Sequence, residues 1–346
     1  MLQIPISVII PCFNVKEYIH EGIKSITNQS YVNFEIVCLD DYSNDGTYEI
    51  LIELAKHDER IRVYRNEINI GLIGTLNRLV ELSNYDVLIR MDPDDISLTD
   101  RFEKLLSGFL NNDVSIVSSN YNLIDKAGKK IKKRGLSLLK TPAGIIFTSL
   151  FNSPIPHAPC LIKKEILLQN KFDTNFKAAE DYKLWSALIR SEIGVLIFEE
   201  PLYLYRQNPF GMSLSNNVIQ AANHVLIAKE NIKYFLDYTV NTFNFLELNK
   251  QLIEIELNLQ QCKDVIAELI ELHRIFNKKN NLTVIEQDEI NIYFAQYLFF
   301  TYFNLIRNQK NIQNKFKILN LVIISAIENF KFFTNNKFLI WILKTL

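Results

Sequence analysis

The sequence predicts an α/β domain on a mostly parallel sheet, with helices on both faces and a helical C-terminal extension. Three observations carry this. Short β-rich runs alternate with helical patterns through the first half of the chain. Polar and acidic clusters follow several of those runs directly. From about Asn216 the chain becomes long-helical and poor in Gly and Pro, so the expected division is residues 1–215 and 216–346.

The elements follow in order. Ile6–Ile10 is a continuous apolar strand closed by Pro11, and such runs suit strands buried on both faces. Tyr18–Asn28 has helical periodicity, with Tyr18, Ile19, Gly22, Ile23 and Ile26 on one face. Phe34–Leu39 is a second buried strand ending in Asp40-Asp41, and Ser43–Thr47 is turn chemistry before a helix from Thr47 to Lys56. Ile61–Tyr64, a loop with Gly71 and Gly74, and a helix through Leu82 come next. Asp86–Met91 and Val114–Ser118 are further strands. Lys126–Arg134 is a basic run expected to form a solvated hairpin around Ala127-Gly128. A loop-rich, Pro-punctuated middle leads to a helix over Phe176–Ile189, then a strand over Val195–Tyr205 broken at Pro201.

With 346 residues the chain can bury a large core, and one or two domains are expected. Lys+Arg 38 against Asp+Glu 39 gives a net charge of -1, so no global basic field draws it to nucleic acid. The four cysteines (Cys12, Cys38, Cys160, Cys262) are scattered and suit reduced thiols better than a disulfide framework or zinc site. The N-terminus has no positive n-region, and no stretch reaches the roughly 18 to 20 apolar residues of a membrane span. A cytoplasmic protein is expected. Residues 301–346 carry seven basic side chains against Glu328 alone, interleaved with Phe, Ile, Leu and Trp341. That pattern suits contact with the anionic inner face of a membrane. An ordinary bundle or a homo-oligomer contact is the alternative.

In open parallel sheets, ligands bind outside the carboxyl ends of the strands. Pro11–Asn14, Asp40-Asp41 and Asp92–Asp95 all lie there. Carboxylates about 4 Å apart repel by roughly 4 kcal/mol at an effective dielectric near 20. Asp92, Asp94 and Asp95 together therefore call for a cation. Hard oxygen ligands without nearby Cys or His favour Mg²⁺ or Mn²⁺. The plain alternative is a solvated acidic turn whose aspartates only cap the next helix.

Pro11-Cys12-Phe13-Asn14, Asp40–Thr47, Asp92-Pro93-Asp94-Asp95 and Glu180-Asp181 with Trp185, in this order and spacing, resemble the family 2 inverting glycosyltransferases. Arg90-Met91-Asp92 and Ala179–Trp185 are similar to bacterial enzymes that build lipooligosaccharide, capsule or O-antigen chains. The resemblance spans roughly residues 4–215. It implies a GT-A fold, a UDP-sugar donor, a divalent cation and an oligosaccharide or glycolipid acceptor, with N-acetylglucosamine, N-acetylgalactosamine, galactose or glucose transferred to form a β-linkage. It further implies roles. Pro11, Phe13 and Asn14 would line the nucleotide, with Pro11 and Phe13 as a wall for uracil. Asp41 would accept the uracil imide N–H. Asp94 would be the direct metal ligand with Asp92 beside it. Asp92 and Asp95 would contact ribose, sugar or metal-bound water. Asp181 would be the general base, since inversion needs a carboxylate to take the acceptor proton. His157, Glu180, Trp185 and Arg206 would lie near acceptor or diphosphate, with Gly211 and Ser213 in a lid over residues 205–215. Two other classes compete. Nucleotidyl transfer also uses carboxylate-bound metal, but Pro11–Asn14 lacks its glycine-rich, basic phosphate loop. A non-catalytic glycan-binding or scaffold protein would have no need of the carboxylate set.

Overall fold

A computed structural model describes residues 4–131, 138–207, 217–241, 245–250, 256–311, 313–315 and 317–318. The chain divides into two compact units: Met1–Lys133 with Ile155–Ser215, and Arg134–Pro154 with Asn216–Leu346. The boundary near 215 coincides with the change in composition. Of the described residues, 138–154 cluster with the second unit.

The first unit is built on a sheet of nine strands among the described residues. Strands β1 (Ile6–Cys12), β2 (Phe34–Asp40), β3 (Ile61–Arg65) and β4 (Val87–Arg90) form its parallel half in the order β3-β2-β1-β4. Every residue of β1, β2 and β4 is buried, as continuous apolar runs require when both faces are covered. Helices α1 (Ile19–Thr27), α2 (Thr47–His57) and α3 (Gly71–Leu82) are the crossovers. β5 (Ile96–Ser97), α4 (Arg101–Asn111), β6 (Ile116–Ile124) and β7 (Lys130–Ile131) follow. The sheet continues beyond β4 through β8 (Leu161–Lys163), β6, β9 (Val195–Arg206) and β5. β8 is antiparallel to both β4 and β6, while β6 and β9 run parallel. The sheet is therefore mixed, with its longer ladders parallel.

Three local features depart from the sequence expectation. β9 runs through Pro201 unbroken, because the β6–β9 register shifts around Asn120, opposite Pro201. Proline is tolerated in a strand at such an irregularity. Helix α7 (Glu180–Arg190) begins four residues later than periodicity suggested, because Ala179 adopts φ 62 and cannot extend it backwards. The middle segment holds helices α5 (Pro142–Ser149) and α6 (Lys164–Gln169) as well as β8. Thr141 caps α5, its Oγ1 accepting from the Gly144 amide with Pro142 at the first turn.

The second unit contains α5 together with α8 (Asn217–Leu236), α9 (Phe245–Asn249), α10 (Leu259–Lys279) and α11 (Val284–Arg307). Phe147 is central, its ring edge-on to Phe151, His273, Phe276 and Tyr293. Capping boxes at Asn258 and Thr283 start α10 and α11. No helix among the described residues is long and apolar enough to cross a membrane. Lys132–Arg134, Gly211, Ser213, most of the 318–327 apolar run, and Glu328, Lys331, Lys337, Trp341 and Lys344 lie outside the described residues.

Candidate active site at the strand ends

The carboxyl ends of β1, β2 and β4 meet in the first unit. Beyond β1, Pro11 is buried within the strand, so of the expected wall only Phe13 offers an open face, at 49% exposure. Asn14 sits in the left-handed region at φ 50. Its amide donates to Ser43 Oγ (2.9 Å) and its Oδ1 accepts from the Asn44 amide (3.1 Å). Val15 and Lys16 amides donate to Thr47 Oγ1 and Asp45. Asn14 thus locks the β1 loop to the β2 loop.

Asp41 is 3% exposed and is held by three donors. Its Oδ1 accepts from Asn66 Nδ2 (2.7 Å) and the Ile70 amide (2.8 Å); its Oδ2 accepts from the Gly71 amide (2.8 Å). Gly71 opens α3 at φ 79, a conformation that suits glycine. Asn66 is in turn held by Arg78, whose Nη1 donates to its Oδ1 at 2.6 Å. Each carboxylate oxygen can accept two bonds. Oδ1 is therefore full, and Oδ2 keeps one acceptor position. Asp40 is fully buried and pairs with Arg65 (3.2 Å) instead.

At the end of β4, Arg90 is buried and its Nη1 donates to Asp92 Oδ2 at 2.6 Å. Arg101, fully buried in α4, donates from Nη2 to the carbonyls of Arg90 (2.7 Å) and Ala158 (3.0 Å). Burial pushes its guanidinium down to about 10. Tyr203 of β9 accepts the Asp92 amide (3.1 Å). Asp95 is 1% exposed and its Oδ1 accepts from the Arg206 amide at 2.7 Å. Burial, then the charges of Asp92 and Asp94, raise its carboxyl well above the usual range. Asp95 therefore anchors the loop to β9, and a ligand reaches Asp92 and Asp94 more readily. Asp94 receives no hydrogen bond from another side chain among the described residues, and burial followed by the charge of Asp92 pushes it up to about 6.

Helix α7 brings the second acidic pair to the same place. Glu180 is pushed up to about 7 by burial and by Asp181, and it lies within electrostatic reach of Arg90 and Asp92. Cys160, raised to about 12 by burial, feels both Arg90 and Asp181. Arg90 is thus a buried cation paired with Asp92 and within electrostatic reach of Glu180. Burial and Arg90 hold His157 well below the usual histidine range, so it is neutral, packed between Phe172 and Trp185. Trp185 is fully buried with its indole edge-on to His157 at 5.5 Å. It offers no surface to a sugar, so its expected place near acceptor or diphosphate is corrected to one in the core. Arg206 is also buried, at 2% exposure, with its guanidinium bonded to protein. That corrects the expectation of a freely presented diphosphate ligand. Sequence alone did not single out Arg101, Tyr203, Asn66 or Arg78. A buried arginine and a surface one look alike in a string.

The donor set fits a hard divalent cation. Among the described residues no three Asp, Glu, His or Cys side chains converge on one point. Asp94 and Asp92 are the carboxylates that would hold such an ion, with remaining positions left to water and phosphate oxygens, as Mg²⁺ and Mn²⁺ prefer. Asp94, partly buried beside a second carboxylate, is the group such a charge would relieve.

Comparison with known proteins decides the family. The family model described as glycosyl transferase family 2 matches residues 7–170. A glycosyltransferase of Haemophilus influenzae, itself uncharacterized, is 30% identical over 321 residues, spanning 84% of this chain and 98% of that protein. The chain belongs to glycosyl transferase family 2. The O-antigen biosynthesis glycosyltransferase WbnJ of Escherichia coli is 31% identical over 190 residues, 53% of this chain and 71% of WbnJ. Among solved structures, S. aureus TarS 1-349 in complex with UDP-GlcNAc superposes with a TM-score of 0.52 at 17% identity, over 88% of this chain and 89% of that one. At that identity the likeness concerns the fold, which is GT-A-like: a mixed sheet whose parallel half carries the site, with C-terminal helices added.

Proposed function

We propose that this family 2 enzyme transfers a hexose or N-acetylhexosamine from a UDP-sugar to a hydroxyl of a growing bacterial surface glycan, with inversion to a β-linkage. The observation that carries the proposal is the arrangement around Arg90: a buried cation paired with Asp92 beyond β4 and within electrostatic reach of Glu180 at the start of α7. That proximity supports a reading in which the acids after β4 and those opening α7 serve one site. The O-antigen role of WbnJ and the UDP-GlcNAc bound to TarS support the substrate class.

Phe13 offers its exposed ring to the base. Asp41, preorganised by Asn66, Ile70 and Gly71, uses the last acceptor position on Oδ2 for the uracil imide N–H. Cytosine lacks that proton. Asp94, with Asp92, would hold Mn²⁺ or Mg²⁺ against the diphosphate. When bound, such an ion stabilises the charge on the departing UDP. Asp181 takes the proton from the acceptor hydroxyl as it attacks the anomeric carbon. Glu180, adjacent on a helix and turned about 100° away, faces Arg90 and tunes the field of that site. Asp95 holds the loop.

The test is purified protein incubated with UDP-linked glucose, galactose, N-acetylglucosamine and N-acetylgalactosamine, with Mn²⁺ or with EDTA. Release of UDP from one of the four, abolished by EDTA, is expected. UDP binding without any turnover on acceptor lipid-linked glycans would instead favour a glycan-binding scaffold. Contact of the C-terminal segment with an anionic membrane, and a peripheral cytoplasmic location, belong to the same proposal; removal of residues 319–346 should then reduce sedimentation with anionic vesicles.

A further inference from the structure

Arg206 closes β9, and its donors are divided among the acidic loop, the turn between β6 and β7, and α1. Its amide donates to Asp95 Oδ1 (2.7 Å) and its Nε to the Asp94 carbonyl (2.7 Å). Nη1 donates to the carbonyls of Asp125 (3.2 Å) and Lys126 (2.8 Å), in the turn between β6 and β7. Nη2 donates to Glu21 Oε2 of α1 at 2.6 Å. The guanidinium also lies 5.0 Å from the centre of the Tyr18 ring. A guanidinium has five N–H donors. Three carbonyls and Glu21 occupy four, leaving too few for the bidentate fork by which arginine grips a phosphate.

The contacts tie the acidic loop to β9, the β6–β7 turn and α1. α1 supplies a further one: a Cβ on Gly22, next to Glu21, would stand 2.4 Å from the Pro93 carbonyl oxygen. The loop therefore rests directly on the α1 backbone on one side and is bolted to β9 on the other.

We propose that Arg206, braced by Glu21, is a positioning residue that clamps the Asp92–Asp95 turn so that Asp94 meets the cation-bound diphosphate of the donor. This rests on the donor site proposed above. Arg206 acts through the Asp94 backbone and does not touch the nucleotide. Glu21 is half-exposed, so its ion pair adds little by itself. The carbonyl bonds carry the effect, and a lysine at 206 can satisfy only part of them.

Calorimetric titration of UDP into the full chain, with saturating MnCl₂ or with EDTA, separates the possibilities. The wild-type chain should bind UDP more tightly with Mn²⁺. In Arg206→Met the affinity measured with Mn²⁺ should fall by at least ~10-fold, while that in EDTA moves less than ~2-fold, because a displaced Asp94 matters only through the cation. Arg206→Lys should recover part of the loss. Glu21→Gln should cost no more than ~3-fold, as expected for an exposed partner. An equal loss in EDTA and Mn²⁺ would show direct contact with the diphosphate and overturn the clamp; so would an unchanged affinity in both. A wild-type chain indifferent to Mn²⁺ would sink the donor-site proposal itself, and the clamp with it. Should Arg206→Met fail to fold, Arg206→Lys carries the same comparison: a selective loss in Mn²⁺ supports the clamp, and no selectivity refutes it.

Discussion

Gly22→Ala tests the seat of the acidic loop in the most direct way. Gly22 lies inside α1 and is buried. In a helix interior alanine is intrinsically better than glycine by about 1 kcal/mol, so propensity alone predicts a more stable protein. Packing predicts the reverse. The added Cβ would lie 2.4 Å from the Pro93 carbonyl oxygen, 3.2 Å from its carbon and 3.5 Å from the Asp95 carbonyl oxygen. The first of these is about 1 Å short of ordinary contact. The obstruction is backbone, so no side chain can rotate out of the way. Either α1 or the Pro93–Asp95 segment must move.

Overpacking of this kind typically costs 1–3 kcal/mol, which offsets the propensity gain and leaves a net loss of roughly 0–2 kcal/mol. The larger effect falls on function. A shift of about 1 Å in the segment carrying Asp94 and Asp95 should lower kcat/KM by about 100-fold. Urea unfolding gives the first quantity. UDP-sugar turnover, at saturating and at limiting Mn²⁺, gives the second. A variant with a raised unfolding midpoint and wild-type turnover would show that propensity wins and that the loop is not seated on α1.

Three other outcomes follow from the same geometry. Asp181→Asn should reduce kcat by at least ~100-fold with the UDP-sugar KM within about 2-fold, the signature of a lost general base; unchanged turnover would remove Asp181 from that role. Asp41→Ala removes the acceptor of the Ile70 amide and the shorter of two bonds each from the Gly71 amide and Asn66 Nδ2, so it should cost about 1–3 kcal/mol and weaken UDP binding together. If UDP affinity survives that loss of stability, Asp41 shapes the loop without reading the base. In the helical unit, burial depresses His273 to about 4. The unfolded chain takes up that proton near pH 6.5. The stabilisation is thus complete above about 6.5 and is lost as the pH falls towards 4, by up to roughly 3 kcal/mol. The advantage of wild type over His273→Gln should shrink between pH 7 and pH 5. Taking the difference cancels Asp94 and Glu180, whose raised proton affinities act in the opposite sense. A constant difference would mean that His273 does not stay neutral.

How much of this was legible in the sequence depends on whether a residue's task is set by local pattern or by distant packing. β1 and β2 were readable because a strand covered on both faces must be continuously apolar, and the polar residues after them then mark the open edge. Pro11–Asn14, Asp41 and Asp92–Asp95 were found that way. β8 was not, since three residues between prolines and lysines carry no period. The start of α7 was misplaced because Ala179 holds a left-handed conformation that alanine does not advertise. Trp185 is named by its place in a motif, which says nothing of depth, and the indole lies in the core.

Charge was the least transparent signal. Arg90, Arg101 and Arg206 are all buried, yet as letters they resemble the many surface arginines and lysines. Carbonyls and a carboxylate from separate elements satisfy Arg206 (Asp94, Asp125, Lys126 and Glu21), and carbonyls of Ala158 and Arg90 take part of Arg101, while Arg90 pairs with Asp92 and both Arg90 and Arg101 keep a buried Nε without a partner among the described residues. Such partners lie up to 185 positions away along the chain. A buried cation that gathers carbonyls from the segment bearing an acidic motif is fixing where those acids stand, because moving the segment would strand donors in the interior at about 1–3 kcal/mol each. The arginines therefore belong to the site's machinery through the backbone they hold, and only three-dimensional structure could assign them that part.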